Sequence, residues 1–287
     1  MKSYAGVELG GTKCVAILAR GAGDIVERQT VPTTTPEETL GALTRILAGW
    51  DYAALGIASF GPVHIDPARE NYGRIANTPK PGWKGADVIG ALRGSRDMPV
   101  GFDTDVNGAA LAEMRWGAGQ GFEDFAYITV GTGVGVGLIV NGQPTRGFGH
   151  SELGHVRVQR LGDDDFPGSC SFHGDCVEGL AAGPSIEARF GKAALPAPDD
   201  SAWRSVAWAI AQLCHTLVCA ATPQTIAIGG GVVERQPHLI GMAEVMLIES
   251  LAGYVALPER RPYLRPPGLG SDAGPLGAIA LAMRADS

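Results

Sequence analysis

The chain has 287 residues, of which 45% are apolar, with a formal net charge of −7. That length is more than one average domain and most naturally makes two, with ample apolar content for their cores. The acidic balance and the lack of a basic run argue against nucleic acid as a partner, and no apolar stretch is long and uncharged enough to span a bilayer.

The opening MKSYAGVELGGTK passes directly into a strand and a turn, without the pattern of a signal peptide. Five cysteines cannot all pair internally, and a reducing cytoplasm is the expected compartment. Short apolar runs alternating with helical stretches predict an α/β chain.

Tyr4 to Leu9 predicts a strand that stops at Gly10-Gly11-Thr12-Lys13, and Cys14 to Ala19 predicts the next. The plain reading is a hairpin turn. The functional reading is that the bare amides of Gly10, Gly11 and Thr12, with the Thr12 hydroxyl, face a phosphate. The pattern is not that of a P-loop. After a third strand, Asp24 to Val31, Thr35 as N-cap, Pro36 at the first position and Glu37 and Glu38 at the positive end predict a helix to Leu47. A strand follows from Leu55 to Phe60, ending at Gly61-Pro62. Asn71 to Trp83, with its Pro79-Lys80-Pro81-Gly82 cluster, predicts a surface loop of the kind that carries recognition groups.

Pro99 to Phe102 predicts a strand followed by Asp103, Thr104, Asp105, Val106 and Asn107, and then a helix through Ala109 to Met114. Such side chains at a strand's end meet ligands in open α/β sheets. One carboxylate could serve only as an N-cap, but two with Asn107 exceed what capping needs. A carboxylate there can take the proton from a hydroxyl that attacks phosphorus. Trp116-Gly117-Ala118-Gly119 interrupts the pattern and is the expected domain boundary, separating 1–116 from 117–271. Phe125 to Val130 then runs into Gly131-Thr132-Gly133 and a second strand, Val136 to Val140. This repeats the strand–turn–strand unit of Leu9 to Thr12, a weak internal duplication suited to holding two ends of a polyphosphate.

The stretch Gly147 to Glu178 reads GFGHSELGHVRVQRLGDDDFPGSCSFHGDCVE. Cys170, His173 and Cys176 form C-x2-H-x2-C, which lets a short loop wrap one ion, and His155 could close the shell from upstream. Four nitrogen and sulfur ligands with no open position describe a structural tetrahedral zinc better than a catalytic one. The bland alternative is two structural thiols and two surface histidines that happen to be neighbours; their concentration in one segment favours metal. The ion would pin Glu152 and His155 at the lip of a substrate pocket. Further on, Gly183 to Phe190 and Ala202 to Ala221 predict helices. Thr225 to Ile228 predicts a strand that stops at Gly229-Gly230-Gly231, suited to a flat base or ribose against backbone. Helices over Leu239 to Leu251 and Ser271 to Met283 end the chain.

Taken in order, Gly10 to Lys13, Asp103 to Asn107, Gly131 to Gly133, Glu152 to His155, the cysteine cluster and Gly229 to Gly231 resemble the ROK (repressor, open reading frame, kinase) sugar kinases over essentially the whole chain. The resemblance implies a two-domain, ribonuclease H-like or actin-like duplicated α/β fold with its active-site cleft between the domains; the helix of about 272–287 could pack on the first domain. It implies transfer of the ATP γ-phosphoryl group to a hexose hydroxyl, with Mg2+ and a structural Zn2+, in a homodimer. Asp105 would be the base; Thr104 (an Asn in many members), Asp105, Gly61, Glu152 and His155 would face the sugar. Gly10, Gly11, Thr12, Lys13, Gly131, Thr132 and Gly133 would cradle phosphates, and Gly229, Gly230 and Gly231 would line the adenosine. His155, Cys170, His173 and Cys176 would hold the zinc. Glu8 stands where many members have Asp, and C-x2-H-x2-C replaces their C-x-C-G-x-x-G-C. With His150 to His155 and Thr78 to Trp83, these departures resemble the bacterial fructokinase branch, which implies ATP-dependent phosphorylation of D-fructose to fructose 6-phosphate. The alternatives are a broader hexokinase acting on mannose or glucose, and a non-catalytic sugar sensor.

Overall fold

The computed structural model describes residues 2–162, 164–191, 195–259 and 262–287, so residue 1 of the expected first domain and residue 163 of the Gly147 to Glu178 stretch lie outside it. The chain divides into two compact units. The first comprises Met1–Gln120, Pro144–Ser151 and Ser271–Ser287; the second comprises Gly121–Gln143 and Glu152–Gly270. Pro144–Ser151 therefore lies with the first unit, although it sits in sequence within the stretch 117–271.

In the first unit, β1 (Tyr4–Leu9), β2 (Lys13–Gly21) and β3 (Asp24–Pro32) form an antiparallel meander. The outer strand β3 is exposed along most of its length, and Glu27, Arg28 and Gln29 give its free edge the polar character that discourages further strand pairing. Helix α1 (Pro36–Ala48) begins as its sequence demands, with the Thr35 hydroxyl accepting the Glu38 amide. The chain then returns through β4 (Leu55–Ser59), α2 (Val88–Arg93), β5 (Val100–Thr104) and α3 (Asp105–Trp116). β4 is buried at every position, as a strand covered on both faces must be. The sheet order is β3-β2-β1-β4-β5, with β1, β4 and β5 parallel.

In the second unit, β6 (Phe125–Val130), β7 (Val134–Val140) and the two-residue β8 (Gln143–Pro144) lead into α4 (Val177–Ala181), α5 (Gly183–Phe190) and the long α6 (Arg204–Ala221). Then come β9 (Thr225–Gly229), α7 (Gly231–Arg235), α8 (His238–Leu251) and β10 (Leu264–Arg265). The sheet order is β10-β9-β6-β7-β8. β6 and β7 make an antiparallel hairpin, while β9 runs parallel to β6 and β10 to β9. Each strand thus has a counterpart in the first sheet, and the duplicated strand–turn–strand unit is the visible part of a duplicated five-stranded sheet. Val206, Ile210, Leu213 and Leu217 of α6 are fully or almost fully buried in this unit's core, beside Trp203.

The last helix, α9 (Ala273–Ala285), belongs to the first unit and packs on β1, β4 and β5. Strand register explains how it lies so close. Gly6 of β1 is paired with Gly56 of β4, and Gly56 with Gly101 of β5, so three glycines make one row across the parallel strands. A Cβ at Gly56 would overlap the carbonyl oxygen of Ala278, and one at Gly101 that of Leu281. The row is a trough in which helix backbone rests directly on sheet backbone. Gly56→Ala should lower stability by about 3 kcal/mol, the upper range for overpacking, because the intruded atoms are main chain and cannot swing aside. Gly23→Ala, where nothing stands within 4 Å of the new methyl, is the control. Urea unfolding checks this, and equal midpoints for the two variants would refute the trough.

Candidate active site and metal centre

Because β1, β4 and β5 are parallel, their C-terminal ends open on one edge of the first sheet, where open α/β sheets hold ligands. Leu9 is paired with Ser59, and Ser59 with Thr104, so the three ends are level. Beyond them stand Gly10, Gly11, Thr12 and Lys13 after β1, Gly61 after β4, and Thr104 and Asp105 at the junction of β5 with α3. The glycine turn is braced from below: the Thr33 hydroxyl donates to the Gly10 carbonyl at 2.8 Å, and the Thr33 amide to that of Thr12 at 2.9 Å. Gly11 and Thr12 are exposed, and among the described residues nothing accepts from their amides. That is the arrangement a phosphate oxygen requires.

The acidic run at β5 resolves into different tasks. Asp103 is fully buried, and one of its oxygens accepts from the Thr104 amide and the Asn107 side-chain amide, each at 2.8 Å. The other accepts from the Arg146 guanidinium at 2.7 Å. The Thr104 hydroxyl accepts the Asn107 amide at 3.2 Å and caps α3. Asp103, expected to face a ligand, is thus spent inside the fold, while Asn107, also buried, gives its side-chain amide to Asp103 and keeps an Oδ1 with no hydrogen-bond partner among the described residues. Asp105, partly exposed at the first position of α3, has one oxygen accepting its neighbour Val106's amide at 2.9 Å. It thus stands at the positive end of the helix dipole, where acidic side chains are favourably placed.

Sequence reasoning gives no role to Arg146, whose pairing with Asp103 spans 43 residues of chain. It ties Pro144–Ser151 to the first unit, and the Val63 amide, donating to His150 Nε2 at 3.0 Å, ties the same segment a second time. A buried carboxylate needs such a partner, since an unpaired charge there is strongly unfavourable.

In the second unit, Gly131-Thr132-Gly133 closes the β6–β7 hairpin and Gly229-Gly230-Gly231 follows β9. Thr129 is paired with Gly229 on parallel strands, so the two glycine runs are neighbours at one sheet edge. Gly230 has φ +92°, and a Cβ there would lie 2.5 Å from the Val130 carbonyl oxygen, so only glycine lets the second run nestle on the first. The Gly183 amide donates to the Gly131 carbonyl at 2.7 Å, and the Val134 amide to Glu178 Oε2 at 3.1 Å, fixing both sides of the turn.

The metal-ligand set predicted from spacing comes together in the same unit. One ligand atom from each of His155, Cys170, His173 and Cys176 lies within 4.8 Å of all the others. His155 Nδ1 is 3.7 Å from Cys170 Sγ and 3.6 Å from Cys176 Sγ, and His173 Nδ1 is 3.7 Å from Cys170 Sγ. Zinc–sulfur bonds of about 2.3 Å and zinc–nitrogen bonds of about 2.0 Å put tetrahedral ligands roughly 3.5 Å apart. The four groups therefore fit one tetrahedral soft cation. Burial pushes the Cys176 thiol up to about 11, with Cys170 adding to the shift.

Backbone hydrogen bonds and an ion pair shape the loop. Cys170 and Gly174 exchange backbone hydrogen bonds of 3.1 and 2.9 Å, and the Val177 amide reaches back to the Val156 carbonyl. Asp164 takes a two-pronged bond from Arg189 at 2.6 and 3.0 Å. Glu152 stands exposed just before the helical turn Leu153–His155. Sequence reasoning also gives no role to Glu178. Its Oε1 lies 4.0 Å from His155 Nε2, so the imidazole has the thiols near its Nδ1 and a carboxylate near its Nε2. Its place two residues after Cys176 is the only local signal of this.

Comparison with known proteins joins these pieces. The model of the family described as "ROK family" matches residues 4–285. A fructokinase of Pediococcus pentosaceus is 40% identical over 280 residues, covering 97% of each chain, and one of Zymomonas mobilis is 40% identical over 299 residues, covering 100% of this chain and 98% of its own. The crystal structure of a ROK family glucokinase from Streptomyces griseus, in complex with glucose and AMPPNP, superposes with a TM-score of 0.73 at 26% identity, covering 98% of this chain and 99% of its own. The duplicated sheets are those of the two-domain actin-like fold. With a family match over nearly its whole length and relatives aligned from end to end, the chain belongs to the ROK family.

Proposed function

We propose that this chain is an ATP-dependent fructokinase that converts D-fructose to fructose 6-phosphate, with Asp105 as general base. The observation that carries the reading is the first unit's sheet edge, where unshared amides of Gly11 and Thr12 share one border with a partly exposed carboxylate at a helix start. Phosphoryl transfer needs little more than a positioned hydroxyl, a place for its proton and donors for the charge on phosphorus. In this reading Asp105 accepts the proton while Thr104 and Gly61 help seat the sugar; Glu152 and His155 bind its other hydroxyls. Gly10 to Lys13 and Gly131 to Gly133 hold phosphate oxygens, and Gly229 to Gly231 lie against the adenosine. The substrate is Mg2+-bound ATP, whose ion neutralises phosphate charge.

Fructose is favoured by the relatives named fructokinase at 40% identity over nearly the full chain. A broader hexokinase acting also on mannose or glucose is the second reading, favoured by the likeness to a glucose-bound glucokinase structure. We further propose that His155, Cys170, His173 and Cys176 hold a structural zinc, supported by their mutual spacing. Its contribution would be to hold the loop that bears Glu152 and His155.

A coupled ADP-release assay should give fructose a kcat/KM at least about tenfold above mannose, glucose and N-acetylmannosamine, a gap of roughly 1.4 kcal/mol in transition-state binding. Absence of turnover with every sugar, in protein shown by metal analysis to carry zinc, would refute the kinase reading. Asp105→Asn should lower kcat by about 10³ while fructose affinity, measured by calorimetry, changes little, as expected for loss of a general base. Near-native turnover would remove Asp105 from that role. Stripping the metal with a chelator should weaken fructose binding by about tenfold or more, the scale on which supporting groups of a site act. Unchanged affinity in verified metal-free protein would separate the ion from the sugar site.

A further inference from the structure

Between β4 and α2 the chain passes through Thr78-Pro79-Lys80-Pro81-Gly82-Trp83. The two prolines fix φ on either side of Lys80 and limit the freedom of its backbone. Trp83 anchors the turn in the core: it is 1% exposed, its indole N–H donates to the Thr34 carbonyl at 2.8 Å, and its ring meets that of Phe60 edge-on with centroids 5.2 Å apart. So held, the turn delivers Lys80 to the glycine turn after β1. The Lys80 ammonium donates to the Gly11 carbonyl at 2.5 Å and stands 5.1 Å from the centre of the Phe60 ring. Phe60 directly follows β4 and precedes Gly61. A cation is therefore fixed on the edge that carries the Gly11 and Thr12 amides and Asp105.

Its bonding is incomplete in an informative way. An ammonium has three donors, and one is used by Gly11. The aromatic face takes charge rather than a directed hydrogen bond. Among the described residues no carboxylate pairs with Lys80. Ordering a lysine side chain costs on the order of 1.5 kcal/mol of rotamer freedom, which a single exposed bond to a carbonyl hardly offsets. A further anionic partner would complete the arrangement.

Spacing says where that anion sits. β1 and β5 are separated by β4 alone, so their ends are about 10 Å apart at the usual strand spacing. A hydroxyl bonded to Asp105, a phosphorus in line with that hydroxyl and a phosphate oxygen bonded to a turn amide together need roughly the same 10 Å. The phosphorus in flight then falls over the end of β4, beside Phe60 and the ammonium of Lys80. We propose that Lys80 is a catalytic residue that contacts the non-bridging oxygens of the γ-phosphoryl group as it moves, an inference that rests on the reading of the chain as an ATP-dependent sugar kinase. In that step the sugar oxygen–phosphorus bond forms while the bond from phosphorus to the β,γ-bridging oxygen breaks. The electron pair departs on ADP, the hydroxyl proton goes to Asp105, and Lys80 keeps its own protons and donates hydrogen bonds.

The test compares native protein with Lys80→Met and Lys80→Arg by steady-state kinetics and by calorimetry with Mg2+-bound ADP and AMPPNP. Lys80→Met should lower kcat by about 10², with fructose KM within about threefold, the pattern for a contact made as charge develops in the transition state. AMPPNP, which has a γ-phosphoryl group, should bind about tenfold more weakly while ADP binds as before, and Lys80→Arg should restore much of both losses. Near-native kcat in Lys80→Met, or equal weakening of ADP and AMPPNP, would overturn the proposal and leave Lys80 as a brace for the glycine turn. Native protein that binds AMPPNP but phosphorylates no sugar would instead defeat the kinase reading, and the ADP–AMPPNP comparison would still decide whether Lys80 meets the terminal phosphate. Native protein that binds neither nucleotide would defeat both.

Discussion

In the first unit, the parallel ladder that joins β1 to β4 and β4 to β5 makes Leu9, Ser59 and Thr104 neighbours, and nearly every feature of the candidate site hangs from that alignment. Parallel strands end on the same side, so three unrelated stretches of chain deliver their following residues to one border. The same ladder brings Gly6, Gly56 and Gly101 into one row and so admits the backbone of α9. A slip of one residue in either pairing would move these glycines to the opposite face and break the trough. The second unit repeats the rule with β6 and β9, and the two glycine runs meet as a result.

The second unit solves a different problem. From Glu152 to the start of α4 at Val177, Leu153–His155 is the sole helical turn among the described residues. A stretch this long and irregular buries too little to order itself. Here the ordering comes from side chains: Arg189 on Asp164, Arg160 on the Asp164 and Phe166 carbonyls, and the four-membered histidine and cysteine cluster. A cation bound by such a set would convert binding energy into local folding energy.

How much of this is legible in the sequence depends on the range of each interaction. The glycine turn after β1, the Thr35 cap of α1 and the C-x2-H-x2-C spacing are local, so the residues that define them adjoin in the chain. Asp103 is misread because its partner, Arg146, lies 43 residues away, and without that partner two acids and an amide resemble an open ligand site. The glycine row is illegible for a related reason: each strand shows only one glycine, and the pattern exists only once register is known. Lys80 lies between these cases. Its Pro-Lys-Pro-Gly setting marks a loop, but the carbonyl it reaches is 69 residues upstream. The six-residue α2 carries no long apolar stripe to announce it.

The division of the chain into units has a consequence for how the protein is made. The first unit takes its strands from the beginning of the sequence, its Arg146 strap from the middle and α9 from the final residues. A ribosome releases residues in order, at seconds per domain. The trough formed by β1, β4 and β5 therefore lacks its helix until residues 273–285 have emerged. The second unit, whose strands and helices all lie between Gly121 and Gly270, can assemble before that. The later sheet in the sequence can thus be complete before the earlier one is covered.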